Sequence, residues 1–107
     1  ISIVEHGIAD AETVDIAIKN SFGLRLPQLG VMENSDLVST QLTWNIHDYV
    51  LPALEDSHKP SPLLAQMLEE GKMGFKSGEG FYKWTPESSA KVSADLNDYL
   101  IRMVYGK

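Results

Sequence analysis

The sequence contains no cysteine. That excludes disulfides, thiolate metal sites and a cysteine nucleophile, and it is compatible with a reducing compartment. No apolar run approaches the ~20 residues needed to span a bilayer. Basic residues are scarce, nine Lys and Arg against fifteen Asp and Glu, and the net charge of -6 argues against nucleic acid or an anionic membrane surface as partner. The three histidines, His6, His47 and His58, include no pair four residues apart, so the helical two-His metal pattern is missing and no metal is expected. There is no basic, apolar leader at the start, and a cytoplasmic setting is expected. Because Ile1 stands where an initiator Met would, the chain reads as an excised piece or a processed product of something longer.

What is present suits one helical domain. The 107 residues match a common domain size, and 43% apolar residues can supply a core. Residues 1–7 read as helix closed at Gly7, with His6 near the helix C-terminus. Asp10 predicts an N-cap for a helix carrying Val14, Ala17, Ile18 and Phe22, ended by Gly23. From Glu33 to Leu54 two apolar stripes recur at helical spacing, which predicts one long helix, kinked or restarted at Pro52. Ser61-Pro62 opens a short helix terminated by Gly71, and Thr85-Pro86 opens a last one with Val92, Leu96, Tyr99, Leu100 and Met103 on one face. The expectation is an all-α, compact five- or six-helix domain over residues 1–107, with a short extended piece around Gly80–Trp84.

The densest information lies in Gly71-Lys72-Met73-Gly74-Phe75-Lys76-Ser77-Gly78-Glu79-Gly80-Phe81-Tyr82-Lys83-Trp84. A phosphate cradle would need a strand before the glycines and a helix at once after them, and neither is signalled. The segment instead predicts a shaped turn. Gly78, Gly80 or both should hold positive φ, with Phe81 or Tyr82 buried against the long helix.

The order Gly-Lys-Met-Gly-Phe-Lys-Ser-Gly-Glu-Gly-Phe-Tyr resembles the closing signature of the C-terminal domain of the 3-hydroxyacyl-CoA dehydrogenase family. Earlier segments are similar to that family in the same order: Ile3-Val4-Glu5-His6-Gly7-Ile8-Ala9 with Val14-Asp15, then Phe22-Gly23-Leu24-Arg25-Leu26-Pro27 with Leu29-Gly30, then Pro60-Ser61-Pro62-Leu63-Leu64. The resemblance covers residues 1–84. Val31 follows Gly30 where the family often has proline, which leaves open a branch acting on short acyl-CoAs, carnitine or sugar acids.

The resemblance implies an oxidoreductase of fatty acid metabolism that oxidises a 3-hydroxyacyl-CoA to the 3-ketoacyl-CoA with NAD. NAD and the catalytic residues would belong to an N-terminal Rossmann domain that these residues do not contain. This chain would wall the substrate cleft and form a homodimer interface, and would be inactive alone. No catalytic or cofactor-binding residue maps onto it. The candidates for substrate contact are Asn34, Lys76 and Ser77, each with a structural alternative: a helix cap, a carboxylate's partner, a capping hydroxyl. Gly74, Gly78, Gly80, Phe81 and Tyr82 form the structural signature. His47-Asp48 are adjacent on a helix and do not face each other. The competing reading is a stand-alone helical interaction module without enzymatic activity.

Overall fold

In the computed structural model, which describes residues 1–106, the chain is all-α: no strand occurs among the described residues. Five helices are eight residues or longer and two are single turns. The chain falls into two compact units, Ile1–Ser61 and a second beginning at Pro62.

The first unit opens with α1 (Ser2–Glu5), whose C-cap His6 donates from Nδ1 to the Ser2 carbonyl at 2.9 Å, and Gly7 follows at φ +70°. Helix α2 (Ala11–Lys19) starts where the sequence places it, because the Asp10 carboxylate accepts from the Thr13 amide at 2.8 Å. A hydrogen bond from the Thr13 side chain, and after it the Thr13 amide, hold the Asp10 pKa below its ordinary value. Gly23 does not end α2. The helix stops at Lys19, and Gly23 lies inside α3 (Phe22–Arg25). A Cβ there would come within 2.6 Å of the Ile18 carbonyl oxygen, so the glycine serves a close backbone approach.

The expected long helix is two helices. α4 (Val31–Val38) and α5 (Thr40–Val50) are separated by Ser39 at φ 99°, ψ 141°, a non-glycine residue in a glycine-like conformation. The Ser39 hydroxyl accepts from the Leu42 amide at 3.1 Å and so caps α5. The Thr43 hydroxyl donates to the Ser39 carbonyl, which leaves Ser35 as donor to Thr43 Oγ1 at 3.2 Å and ties α4 to α5 across the break. After α5, Pro52 sits in a 3-10 turn, Leu51–Ala53, as a proline restart requires.

In the second unit, α6 (Pro62–Glu69) carries proline at its first position and ends in a Schellman motif. The Lys72 amide reaches the Met67 carbonyl at 2.8 Å, the Gly71 amide reaches Leu68, and Gly71 adopts φ +78°. Helix α7 (Pro86–Tyr105) begins with reciprocal bonds between Thr85 and Ser88 and ends at Gly106 with φ +70°. Among the described residues only one large apolar side chain, Met67 at 8% exposure, is buried. The stripes of α5 and α7 remain exposed, from Val50 at 36% to Tyr49 at 85%.

Candidate functional site

The signature segment folds into a stapled loop between α6 and α7. A 3-10 turn, Phe75–Ser77, stands between Gly74 at φ +106° and Gly78 at φ +82°. The Gly74 amide donates to the Glu79 carbonyl at 2.9 Å, the Trp84 amide to Gly78 at 2.8 Å, and isolated antiparallel bridges pair Gly74 with Glu79 and Glu79 with Lys83. Those bridges are all that forms of the expected extended piece. Gly78 holds the positive φ that the sequence predicts, whereas Gly80 does not. Gly80 meets a different constraint: its Cβ would lie 3.2 Å from the Gly74 Cα, a tight approach of two backbones.

Ser77 holds this loop together. Its hydroxyl accepts from the Met73 amide at 2.9 Å and faces the carbonyls of Glu79 at 2.9 Å and Gly74 at 3.2 Å, to which it donates. The hydroxyl's single proton is thus shared within its own turn, and one of its two acceptor sites is taken by the Met73 amide. Lys76 is exposed and forms no ion pair among the described residues. Lys72 does, with Glu70 at 3.3 Å and Glu79 at 3.6 Å, and the hydrogen bond to Glu70 raises its pKa above the usual lysine range.

The aromatic residues anchor the loop to one another rather than being buried. Phe75 meets Trp84 edge-on with ring centroids 4.7 Å apart, and Tyr82 lies 5.8 Å from Trp84. Phe81 stays 43% exposed and Tyr82 is half-buried, so the expected burial of one of them is not met. With Leu64, Met67 and Leu68 of α6 these rings line an open apolar hollow of about 600 Å³. Its one charged wall residue, Lys72, already has two carboxylates beside it.

The first unit holds a smaller hollow, about 240 Å³, where the chain turns from α3 into α4. Phe22, Leu26, Leu29 and Val31 supply its apolar walls, and Arg25 and Asn34 its polar side chains. Asn34 is not a cap. Gly30 occupies the N-cap of α4, its amide donating to Glu33 Oε1 at 2.9 Å, and Asn34 lies one turn inside. Its Oδ1 accepts from Arg25 Nη2 over a long 3.5 Å. Of the three residues the sequence singles out, Asn34 therefore lines this hollow, whereas Lys76 and Ser77 belong to the signature loop and line neither hollow. Arg25 was not a candidate by sequence. The available signal was a lone basic residue among Phe22, Leu24, Leu26 and Leu29.

His47 and Asp48 share a shallow hollow with Trp44, Leu51 and Pro52, and no hydrogen bond joins them. Among the described residues no cluster of three or more His, Asp or Glu could hold a metal, and no helix is long and apolar enough to cross a membrane.

Comparison with known proteins places these elements in a family. The C-terminal domain of 3-hydroxyacyl-CoA dehydrogenase matches residues 1–84. Relatives include 3-hydroxybutyryl-CoA dehydrogenase of Mycobacterium tuberculosis, 40% identical over 85 residues that cover 78% of this chain and 29% of that protein. The mitochondrial hydroxyacyl-coenzyme A dehydrogenase of Homo sapiens is 37% identical over 86 residues, covering 78% and 26%. The 5-formyl-3-hydroxy-2-methylpyridine 4-carboxylate 5-dehydrogenase of Mesorhizobium japonicum is 24% identical over 95 residues, covering 89% and 31%. The chain thus spans less than a third of the length of these relatives. A crystal structure of 5-formyl-3-hydroxy-2-methylpyridine 4-carboxylic acid 5-dehydrogenase, described as an NAD+-dependent dismutase, superposes with a TM-score of 0.90 at 24% identity, covering 99% of this chain and 35% of that one. At that identity the likeness shows the fold. With the signature loop formed and the family match running through both hollows, the chain belongs to the 3-hydroxyacyl-CoA dehydrogenase family and corresponds to its C-terminal domain.

Proposed function

We propose that the chain acts as one C-terminal helical domain of a cytoplasmic, NAD-dependent enzyme that oxidises 3-hydroxyacyl-CoA to 3-ketoacyl-CoA. It walls the substrate cleft and associates with a second copy. The observation that carries this reading is the family match over residues 1–84, within which the Arg25–Asn34 hollow offers apolar walls beside hydrogen-bond donors.

The glycines of the signature loop do not form a dinucleotide cradle. Gly74, Gly78 and Gly80 follow a helix rather than a strand, and a 3-10 turn with a tight backbone approach separates them from the start of α7. NAD is therefore assigned to an N-terminal domain of the parent enzyme, and that domain is this chain's first partner. Self-association is supported by the exposed stripe of α5, Leu42 at 45%, Ile46 at 48% and Tyr49 at 85%, since contiguous apolar surface of this kind is uncommon on monomers.

The test is made on the natural polypeptide that carries this chain. With NAD and 3-hydroxybutyryl-CoA it should produce NADH, and absence of turnover across short, medium and long 3-hydroxyacyl-CoAs overturns the assignment. Residues 1–107 alone should give no heat with NAD in calorimetry, and micromolar binding would contradict the placement of the cofactor. Sedimentation should show a dimer, and the coordinates of that dimer an interface on the order of 1,600 Å² or more.

A further inference from the structure

The smaller hollow presents a charge with no counter-charge. Arg25 makes no ion pair among the described residues, and its one hydrogen bond is the 3.5 Å contact to a neutral amide. A guanidinium has five donors in a planar fork and stays protonated throughout the physiological range. The acid nearest in sequence on the adjoining helix, Glu33, is folded back over the start of α4, held by the Gly30 amide at 2.9 Å. Asn34 places its oxygen toward Arg25, and its amide nitrogen bonds nothing among the described residues. Two donor groups therefore stand side by side at an apolar hollow, and the one protein acceptor they meet among the described residues is the Asn34 oxygen at a long 3.5 Å.

The size of the hollow narrows what they would read. About 240 Å³ holds roughly eight water-sized groups at ~30 Å³ each. That suits a small acid or the end of a larger ligand. Phe22, Leu26, Leu29 and Val31 would cover its carbon body, while an anionic oxygen group met the fork.

We propose that Arg25 and Asn34 are specificity-determining residues that bind an anionic oxygen group of the substrate. The inference rests on the substrate-wall reading above and deepens it. The same chemistry has two sources: the carboxylate of a short 3-hydroxy acid, or a phosphate of a CoA ester.

The test uses the natural full-length polypeptide, its Arg25→Gln and Arg25→Lys variants, and three substrates: 3-hydroxybutyrate, 3-hydroxybutyryl-CoA, and the 3-hydroxybutyryl thioester of N-acetylcysteamine, which has neither carboxylate nor phosphate. Loss of a charge-assisted bond is expected to lower kcat/KM for an anionic substrate, relative to the neutral thioester, by about 10- to 100-fold in Arg25→Gln. Arg25→Lys should recover part of that ratio. A fall confined to the free acid assigns the carboxylate, and a fall confined to the CoA ester assigns the phosphate. An unchanged ratio, including a uniform loss on all three substrates, overturns the proposal. If the unaltered protein oxidises none of them, the dehydrogenase reading fails separately. Calorimetric titration with butyrate and with inorganic phosphate then decides Arg25: about tenfold weaker binding of one of them to Arg25→Gln upholds its role, and equal affinity or no binding of either refutes it.

Discussion

Ser39→Gly should stabilise the protein, against the usual rule that glycine weakens a helical region. Ser39 holds φ 99°, ψ 141°, where a side chain costs on the order of 1–3 kcal/mol. Glycine removes that strain. Against the gain stand the lost cap from the Ser39 hydroxyl to the Leu42 amide, a few tenths of a kcal/mol when glycine replaces it, and about 0.5–1 kcal/mol for the freer unfolded chain. A strain of ~2 kcal/mol reduced by ~0.3 and ~0.7 leaves a gain of ~1 kcal/mol. Ser39→Ala keeps the strain and loses the cap, at a cost of ~0.5–2 kcal/mol. Were residues 31–50 one continuous helix, both signs would reverse, with alanine gaining ~0.5 kcal/mol and glycine losing a similar amount. Urea denaturation of the natural polypeptide carrying each variant measures the order directly. An alanine variant more stable than the glycine variant refutes the break at Ser39.

Three further outcomes are expected. Ser77→Ala should cost ~1–2 kcal/mol and speed hydrogen exchange at the Met73 amide, while a tenfold rise in KM with exchange unaltered would make Ser77 a substrate contact instead. Gly78→Ala, at φ +82°, should cost ~1 kcal/mol or more through strain, and Gly80→Ala a comparable amount through collision with the Gly74 backbone; melting points unchanged in both would remove this account of the loop. Because the Thr13 bonds lower the folded-state pKa of Asp10 from 3.8, its stabilising effect is complete above that value and is lost as pH falls through the lower, folded one. The Thr13 amide resonance should follow this titration in Asp10 and lose it in Asp10→Asn, and a resonance that stays flat into strong acid contradicts the cap.

The sequence is most legible where a helix end demands one kind of chemistry. Asp10, Thr85-Pro86 and Gly71 each do what their residue type is selected to do at a terminus, and each stands at the terminus assigned to it. The break at Ser39 carried no such mark, since serine is admissible inside a helix and Leu37, Val38 and Leu42 continue the periodicity on either side. Gly23 misled for the opposite reason: glycine signals a helix end and a close approach equally well, and only the position of the Ile18 carbonyl decides between them. The hollow at Arg25 depends on the turn from Leu26 to Gly30 bringing residues 22 and 34 together, a relation that no local spacing encodes. Asn34 is therefore legible in the sequence without Arg25, the side chain beside it in this hollow.

The four methionines give the chain built-in chemical reporters. Met32 on α4, Met73 in the signature loop and Met103 on α7 are 80%, 68% and 59% exposed, whereas Met67 on α6 is 8% exposed. Methionine accessible to peroxide becomes the sulfoxide, a polar product that mass spectrometry locates peptide by peptide. Met67 is an internal standard for intact folding, and the other three each sample a different surface. Whichever of them becomes resistant when the chain joins its parent domain or a second copy identifies the face that has been covered, with no label added.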